Sequence, residues 1–151
     1  MSNIDLKLSL NSDSIYDISI ENGDFALVDS FDTSLIVSLM TDARADQSQV
    51  FRSELRRGWW GNQFGVEPDS FQIGSLLWLL FQARNTQNTL NSAIDYAQNS
   101  LQWLVDDGNA DSVSASGDFT PNGITLSINI FRGNSIVDTK YYDLWQNSGA
   151  M

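Results

Sequence analysis

The residues best equipped for chemistry in this chain form one unbroken run, Arg56, Arg57, Gly58, Trp59, Trp60 and Gly61. A guanidinium group is a planar fork of donors that matches carboxylates and phosphates, and an indole offers a wide apolar face with one polar N–H. With Arg44 and Arg52, the run gathers four of the eight basic residues of the chain into fourteen positions. The rest of the sequence is acidic, with nineteen Asp and Glu and a formal charge of −11. Three uses fit this pattern. The tryptophans could close a corner of the core while the arginines pair with carboxylates; the run could be a docking surface, since Trp and Arg dominate interface hot spots; or the arginines could hold a phosphate or a sugar. The first two are compatible, with aromatic faces inward and guanidinium groups outward.

Other chemistry is narrowed by what is missing. The chain has no histidine and no cysteine, which removes the usual general base, the Ser-His-Asp and Cys-His nucleophile systems, disulfides, and nearly every zinc or non-haem iron site. Carboxylates remain. Glu54 and Glu67 flank the tryptophan pair and could serve a glycosidase, but with nineteen acids some pair can always be found. Asp106, Asp107, Asn109 and Asp111 cluster without the twelve-residue calcium-loop pattern, and read as a helix end followed by a solvated turn; Asp13 and Asp17 read the same way at an earlier turn. No catalytic residue, cofactor or metal is therefore assigned. The net charge repels phosphate backbones and anionic lipid, so neither nucleic acid nor membrane is an expected partner. The longest apolar run, Leu76 to Phe81, is far below the roughly 20 residues that span a bilayer, and no signal-peptide pattern opens the chain, so a soluble protein is expected.

These residues need a frame. Ile4, Leu6, Leu8 and Leu10 alternate with polar residues, and the alternation resumes at Tyr16, Ile18 and Ile20, which predicts an N-terminal β-hairpin with a second turn at Gly23 and Asp24. From Phe31, the positions Leu35, Ile36, Leu39, Met40 and Ala43 describe one face of a helix. Arg44 to Asp69 breaks the period and is too long for an idle connector. Ile73 to Arg84 predicts a central buried helix, with Trp78 and Phe81 among core aromatics that also include Tyr96 and Trp103. A third helix, capped by Asn85 and Thr86, carries Leu90, Ala93, Ile94, Ala97, Leu101, Leu104 and Val105 and stops at Asp106 to Gly108. Val113 and Ala115, then Ile124 to Ile130, then Ile136 to Leu144 past a turn at Gly133 and Asn134, alternate as strands. The expected architecture is α+β: an N-terminal β-hairpin, about three helices, and C-terminal antiparallel strands forming one sheet packed on the helices, in a single domain over 1–151. Tyr141, Tyr142 and Trp145 make an aromatic chain end that either finishes the sheet or adds to a neighbour's sheet edge.

The order of several motifs carries a resemblance. "ENGDFAL" at Glu21 to Leu27 precedes "LMTDARA" at Leu39 to Ala45, and "RRGWWG" follows at Arg56 to Gly61. Downstream come "GSLLWLLFQARNT" at Gly74 to Thr86, "AIDYAQNSLQWLVDDG" at Ala93 to Gly108, and a terminal "YYDLW". Over nearly its whole length the series resembles the Mu-type phage baseplate protein family, which is similar in turn to the small wedge protein numbered twenty-five of T-even phages. That resemblance implies a structural subunit of the baseplate wedge of a contractile tail, made in the bacterial cytoplasm and built into the virion. Its implied partners are larger wedge proteins, the sheath through strand exchange, and the tail tube, with multiple copies around a six-fold axis. The contact residues expected on this reading are Arg44, Arg52, Arg56, Arg57, Trp59 and Trp60, with Tyr141, Tyr142 and Trp145 second. Related wedge proteins have carried a tail-lysozyme label, which keeps a peptidoglycan hydrolase open as an alternative, beside a tail assembly adaptor and a domesticated tail-like particle.

Overall fold

In a computed structural model, the described residues are 4–64, 72–81 and 83–144. They group into two compact units, Met1–Val37 and Ser38–Met151, and the division falls within the first helix.

The N-terminal unit is a three-armed β-structure. β1 (Ile4–Leu6) pairs with β6 (Leu27–Asp29), β2 (Leu8–Leu10) with β3 (Tyr16–Ile18), and β4 (Ile20–Glu21) with β5 (Asp24–Phe25), all antiparallel. The arms meet at a closed ring of backbone bonds: Lys7 N–H donates to Ala26 O, Ala26 N–H to Ser19 O, and Ser19 N–H to Lys7 O, each at 2.9 Å. Asn22 and Gly23 close the β4–β5 arm with φ of 53° and 82°, the double left-handed conformation that a two-residue hairpin favours. Asn11 shapes the β2–β3 turn, its Oδ1 accepting from the N–H groups of Asp13 and Ile15. The expected hairpin is therefore present at Leu8–Ile18, but Ile4–Leu6 leaves it to pair with Leu27–Asp29. α1 (Asp32–Met40) follows, with Ser30 Oγ accepting from Asp32 N–H at its start and Thr33 Oγ1 donating to Leu6 O.

The C-terminal unit rests on one regular sheet, β7 (Ser112–Thr120), β8 (Gly123–Arg132) and β9 (Ser135–Leu144), in that spatial order. The alternation Ile124, Leu126, Ile128, Ile130 is fully buried along β8. Tyr142 and Leu144 lie opposite Leu126 and Ile124 and share that inward face. α2 (Gln87–Ser100) packs on β7 and β8 through Leu90, Ala93 and Ala97. Thr86 caps it as the sequence suggests, its hydroxyl accepting from Thr89 N–H at 3.2 Å. After a bend at Leu101 and Gln102 the same helix resumes for one turn, Trp103–Asp106.

Two expectations about architecture fail. Among the described residues there are two α-helices, the second one bent, and nine strands in four small sheets, a largely β-rich architecture and not three helices on one sheet. The expected central helix is the missing one. Gly74 sits at φ +118°, outside helical space. Its neighbour Ser75 makes a parallel bridge with Asp42, with Ser75 N–H donating to Thr41 O and Ala43 N–H to Ser75 O, both at 2.9 Å. That bridge ends α1 at Met40 and pairs Ser75 with another strand of backbone just ahead of the apolar run. Among the described residues there, a 3₁₀ turn, Leu77–Leu80, takes the place of the helix. Residues three apart stack in such a turn, so Leu77 and Leu80 are buried while Phe81 is half exposed.

Candidate functional site

The Arg–Trp run lies on an irregular segment with three 3₁₀ turns, Gln47–Gln49, Ser53–Leu55 and Trp60–Gln63. Its shape comes from two backbone stretches laid side by side. Ala45 N–H donates to Arg56 O at 3.0 Å, Arg56 Nε returns to Ala45 O at 2.5 Å, and Arg44 Nη1 reaches Arg57 O at 3.3 Å. Gly58, at φ +109°, comes so close that a Cβ there would stand 2.8 Å from Arg44 Cβ. Arg57 is itself left-handed at φ 51°, a conformation a non-glycine residue adopts only at a cost. Its guanidinium offsets that cost, donating to Asp42 Oδ2 at 3.0 Å and lying 4.8 Å above the Trp78 ring. Trp78 is held in turn by its Nε1–H on Ala43 O at 2.8 Å.

Arg56 and Arg57 therefore brace the loop. Asn62 does the same from the other end, its amide donating to Ile73 O and accepting from Ile73 N–H at 3.0 and 3.1 Å. Trp59 folds over Gly61, where any Cβ would strike the indole at 2.2 Å. The two tryptophans do not close a corner of the core. Trp60 is 69% exposed and Trp59 39%. Their rings are tilted at 5.8 Å, and Trp60 meets Phe64 edge-on at 5.7 Å, with Phe64 68% exposed. Phe51, at 93% exposure, Leu55 and Arg52 are exposed on the same loop. Trp60 and Phe64 turn their faces to water, while Arg56 and Arg57 are engaged on the loop itself, Arg57 with its side chain still 51% exposed.

The sequence reading missed Phe51, Leu55, Phe64 and Asn62. Gly58 and Gly61 were the available signal, since glycines flanking a Trp pair mark close approaches of backbone and ring. At the chain end the structure separates two expected contacts: Tyr141 is exposed and Tyr142 buried at 6%. Trp145 and Glu67 lie outside the described residues.

An open cleft of about 540 Å³ lies within the C-terminal unit, lined by Arg44, Ser75, Tyr96, Asn99, Trp103, Asp106 and others. Trp103 Nε1 donates to Ser38 Oγ at 2.9 Å. The acidic loop beyond it is engaged internally: Asp111 accepts from Gly133 N–H, Arg132 Nε donates to Asn109 O at 2.9 Å, and Asp106 accepts from Gln102. Among the described residues no group of three or more Asp or Glu is placed to hold a metal ion, and no helix is long and apolar enough to cross a membrane. What the Arg–Trp loop can do chemically is present hydrogen-bond-braced, solvent-facing aromatic area on a segment that also carries cationic charge.

Comparison with known proteins agrees on one lineage. The chain is 41% identical over 97 residues to "Mu-like prophage FluMu protein gp46" of Haemophilus influenzae, covering 64% of each protein. It is 38% identical over 100 residues to "Baseplate protein gp46" of Escherichia phage Mu, covering 65% of this chain and 66% of that one. The matched stretch thus spans just under two thirds of each of these relatives. The profile of the family described as phage protein GP46 matches residues 31–136, which take in both helices, the Arg–Trp loop and most of the C-terminal sheet. The chain belongs to the phage protein GP46 family.

Proposed function

We propose that this chain is a structural component of the baseplate of a Mu-like phage or of a tail-like particle derived from one, acting by assembly and not by catalysis. The observation that carries the reading is the exposed, edge-on pair Trp60 and Phe64, on a segment that also exposes Phe51 and Arg52 and is braced by Arg56, Arg57 and Asn62. A preformed loop loses little entropy on docking, and Trp with Arg is the composition of binding hot spots. The baseplate name of the phage Mu relative supports the same role. In finer detail we assign the chain to a wedge of a contractile tail, next to larger wedge subunits, sheath and tube, in several copies around a six-fold axis. The protein is made in the bacterial cytoplasm and ends in the virion.

The test is a Trp60→Ser, Arg52→Glu double variant in a phage that depends on this gene. Both side chains are exposed, so the purified variant keeps the circular dichroism and melting temperature of the parent. Mature tails are expected to lack it, with infectivity lost. Infectious particles carrying the variant at normal copy number would refute the assignment.

A further inference from the structure

The sequence contains two Asn-Gly pairs, Asn22–Gly23 and Asn122–Gly123, and the fold treats them differently. An asparagine followed by glycine is open to intramolecular attack, because no side chain on the glycine screens its backbone nitrogen from the amide carbon of the asparagine. In the β4–β5 arm Glu21 pairs with Asp24, so Asn22 and Gly23 are the two loop residues. In the β7–β8 hairpin Thr120 pairs with Gly123, so the loop is Pro121 and Asn122 and the glycine already stands in the ladder. A strand residue sends its N–H and C=O to one side, and the side alternates along the chain. Gln98 binds Val113 O and Ala115 N–H on the outer edge of β7, so the even-numbered residues of that strand face β8. Thr120 and Gly123 therefore exchange backbone bonds, with Gly123 N–H on Thr120 O, and Gly123 is also buried. In the other arm Ala26 N–H on Ser19 O sets the phase. Bonds then fall on the pairs Ser19–Ala26 and Glu21–Asp24, and Gly23 takes no part in the ladder. Asn22 and Gly23 are both exposed, and a Cβ built on Gly23 would meet no atom within 4 Å.

We propose that Asn22 is a site of hydrolytic self-modification, with water as its only co-reactant. Gly23 N gives up its proton and bonds to Asn22 Cγ; the Cγ–Nδ2 bond breaks and ammonia leaves with the proton, closing a cyclic imide. Water then opens the imide on either side. Attack at Cγ releases Gly23 N from that carbon and leaves aspartate on the original backbone. Attack at the main-chain carbonyl carbon of Asn22 breaks the old peptide bond and leaves isoaspartate, with the chain running through the side-chain carbons. Ring closure needs rotation about the bond between Asn22 Cα and its carbonyl carbon. An uncrowded loop tip permits that rotation, whereas a buried glycine tied to Thr120 resists it. Either product sets a new carboxylate between Glu21 and Asp24, both exposed. Isoaspartate also adds a main-chain carbon to the loop, which abolishes the left-handed pair of φ 53° and 82° that closes the arm in two residues. The modification stands on the β4–β5 arm alone and is independent of the assembly reading.

The test ages the full-length chain in warm, mildly alkaline buffer for weeks, once folded and once in concentrated urea. Peptide mapping by mass spectrometry then follows each Asn-Gly pair, and enzymatic methylation counts isoaspartate separately. Each folded rate is divided by the rate of the same pair in urea, which removes the effect of neighbouring sequence. The ratio for Asn22 is expected to exceed that for Asn122 by about tenfold, the protection that one ladder hydrogen bond gives Gly123 N–H. Conversion at Asn22 is expected to quicken as pH rises, because the attacking nitrogen must lose a proton. Asn22→Gln, whose longer side chain disfavours the imide, is expected to leave that peptide unmodified in the folded chain. Amide exchange gives an independent reading, with Gly23 N–H expected to exchange faster than Gly123 N–H. Equal ratios at the two pairs would overturn the proposal. So would an Asn22 that keeps its amide in the folded chain while converting in urea, or equal exchange protection of the two glycines.

Discussion

Gln98 offers the sharpest energetic test of this fold. Its side chain leaves α2 and clamps the outer edge of β7: Nε2 donates to Val113 O at 2.6 Å, and Oε1 accepts from Ala115 N–H at 2.8 Å. The amide thus occupies the two outward-facing backbone groups that a further strand would use. Gln98→Leu deletes both bonds. Val113 is buried and Ala115 half-buried; an unsatisfied backbone group costs about 1–3 kcal/mol, with the lower end for the one that water can reach. Added apolar burial from leucine returns about 1 kcal/mol. The net loss is about 2 kcal/mol, which lowers the melting temperature by about 4–8 °C in a protein of this size. Urea unfolding measures the first, and amide exchange at Ala115 reports the edge directly.

Gln98→Glu sharpens the test. The carboxylate still accepts from Ala115 N–H but sets a second anionic oxygen against Val113 O. At neutral pH it is expected to destabilise at least as much as leucine does. Placed there, the carboxyl gains a proton more readily folded than unfolded, because only its protonated form can donate to Val113 O. Its folded pKa is raised, so stability is recovered as pH falls through that value and lost as pH rises. A Gln98→Leu variant within about 0.5 kcal/mol of the parent, the range of an ordinary surface change, with unchanged exchange at Ala115, would refute the clamp.

Two further variants probe the frame. Gly74→Ala forces a Cβ to within 2.8 Å of Ala43 N and Thr41 O at a φ of +118°, and is expected to destabilise by more than the roughly 1–3 kcal/mol of backbone strain alone; a stable Gly74→Ala protein with an intact Asp42–Ser75 bridge would count against that account. Thr86→Ala removes the acceptor for Thr89 N–H and is expected to cost about 1 kcal/mol in urea unfolding, against no measurable change if water substitutes for the hydroxyl.

Local rules made much of this fold legible. Period-two alternation located β8 and β9, and Gly133 with Asn134 located the turn between them. Thr86 marked the start of α2 because a hydroxyl there satisfies an orphan donor whatever the tertiary context. The failures share a cause. Leu76 to Phe81 is apolar in every direction, so no periodicity separates a helix from a 3₁₀ turn, and the deciding bond partners, Thr41 and Ala43, are over thirty residues away. Ile4–Leu6 alternates as well as Leu8–Leu10 does, and an extended piece over Phe25 to Val28 is legible too, but nothing local says that the two pair. The Arg–Trp loop was conspicuous by composition, but composition could not say that Arg56 and Arg57 brace the loop while Trp60 turns out.

The ring formed by Lys7, Ser19 and Ala26 has a consequence for how the N-terminal unit comes apart and how its sequence can drift. Each member gives one backbone bond and receives one, so none can leave without orphaning a donor and an acceptor on the other two. Peeling one arm is thereby tied to loosening the remaining pair, and gradual fraying becomes a single threshold event. Because the ring is written in peptide groups, it makes no demand of its own on the side chains at Lys7 and Ser19. Proline alone is barred from all three positions, since it would delete a donor from a circuit that has no spare.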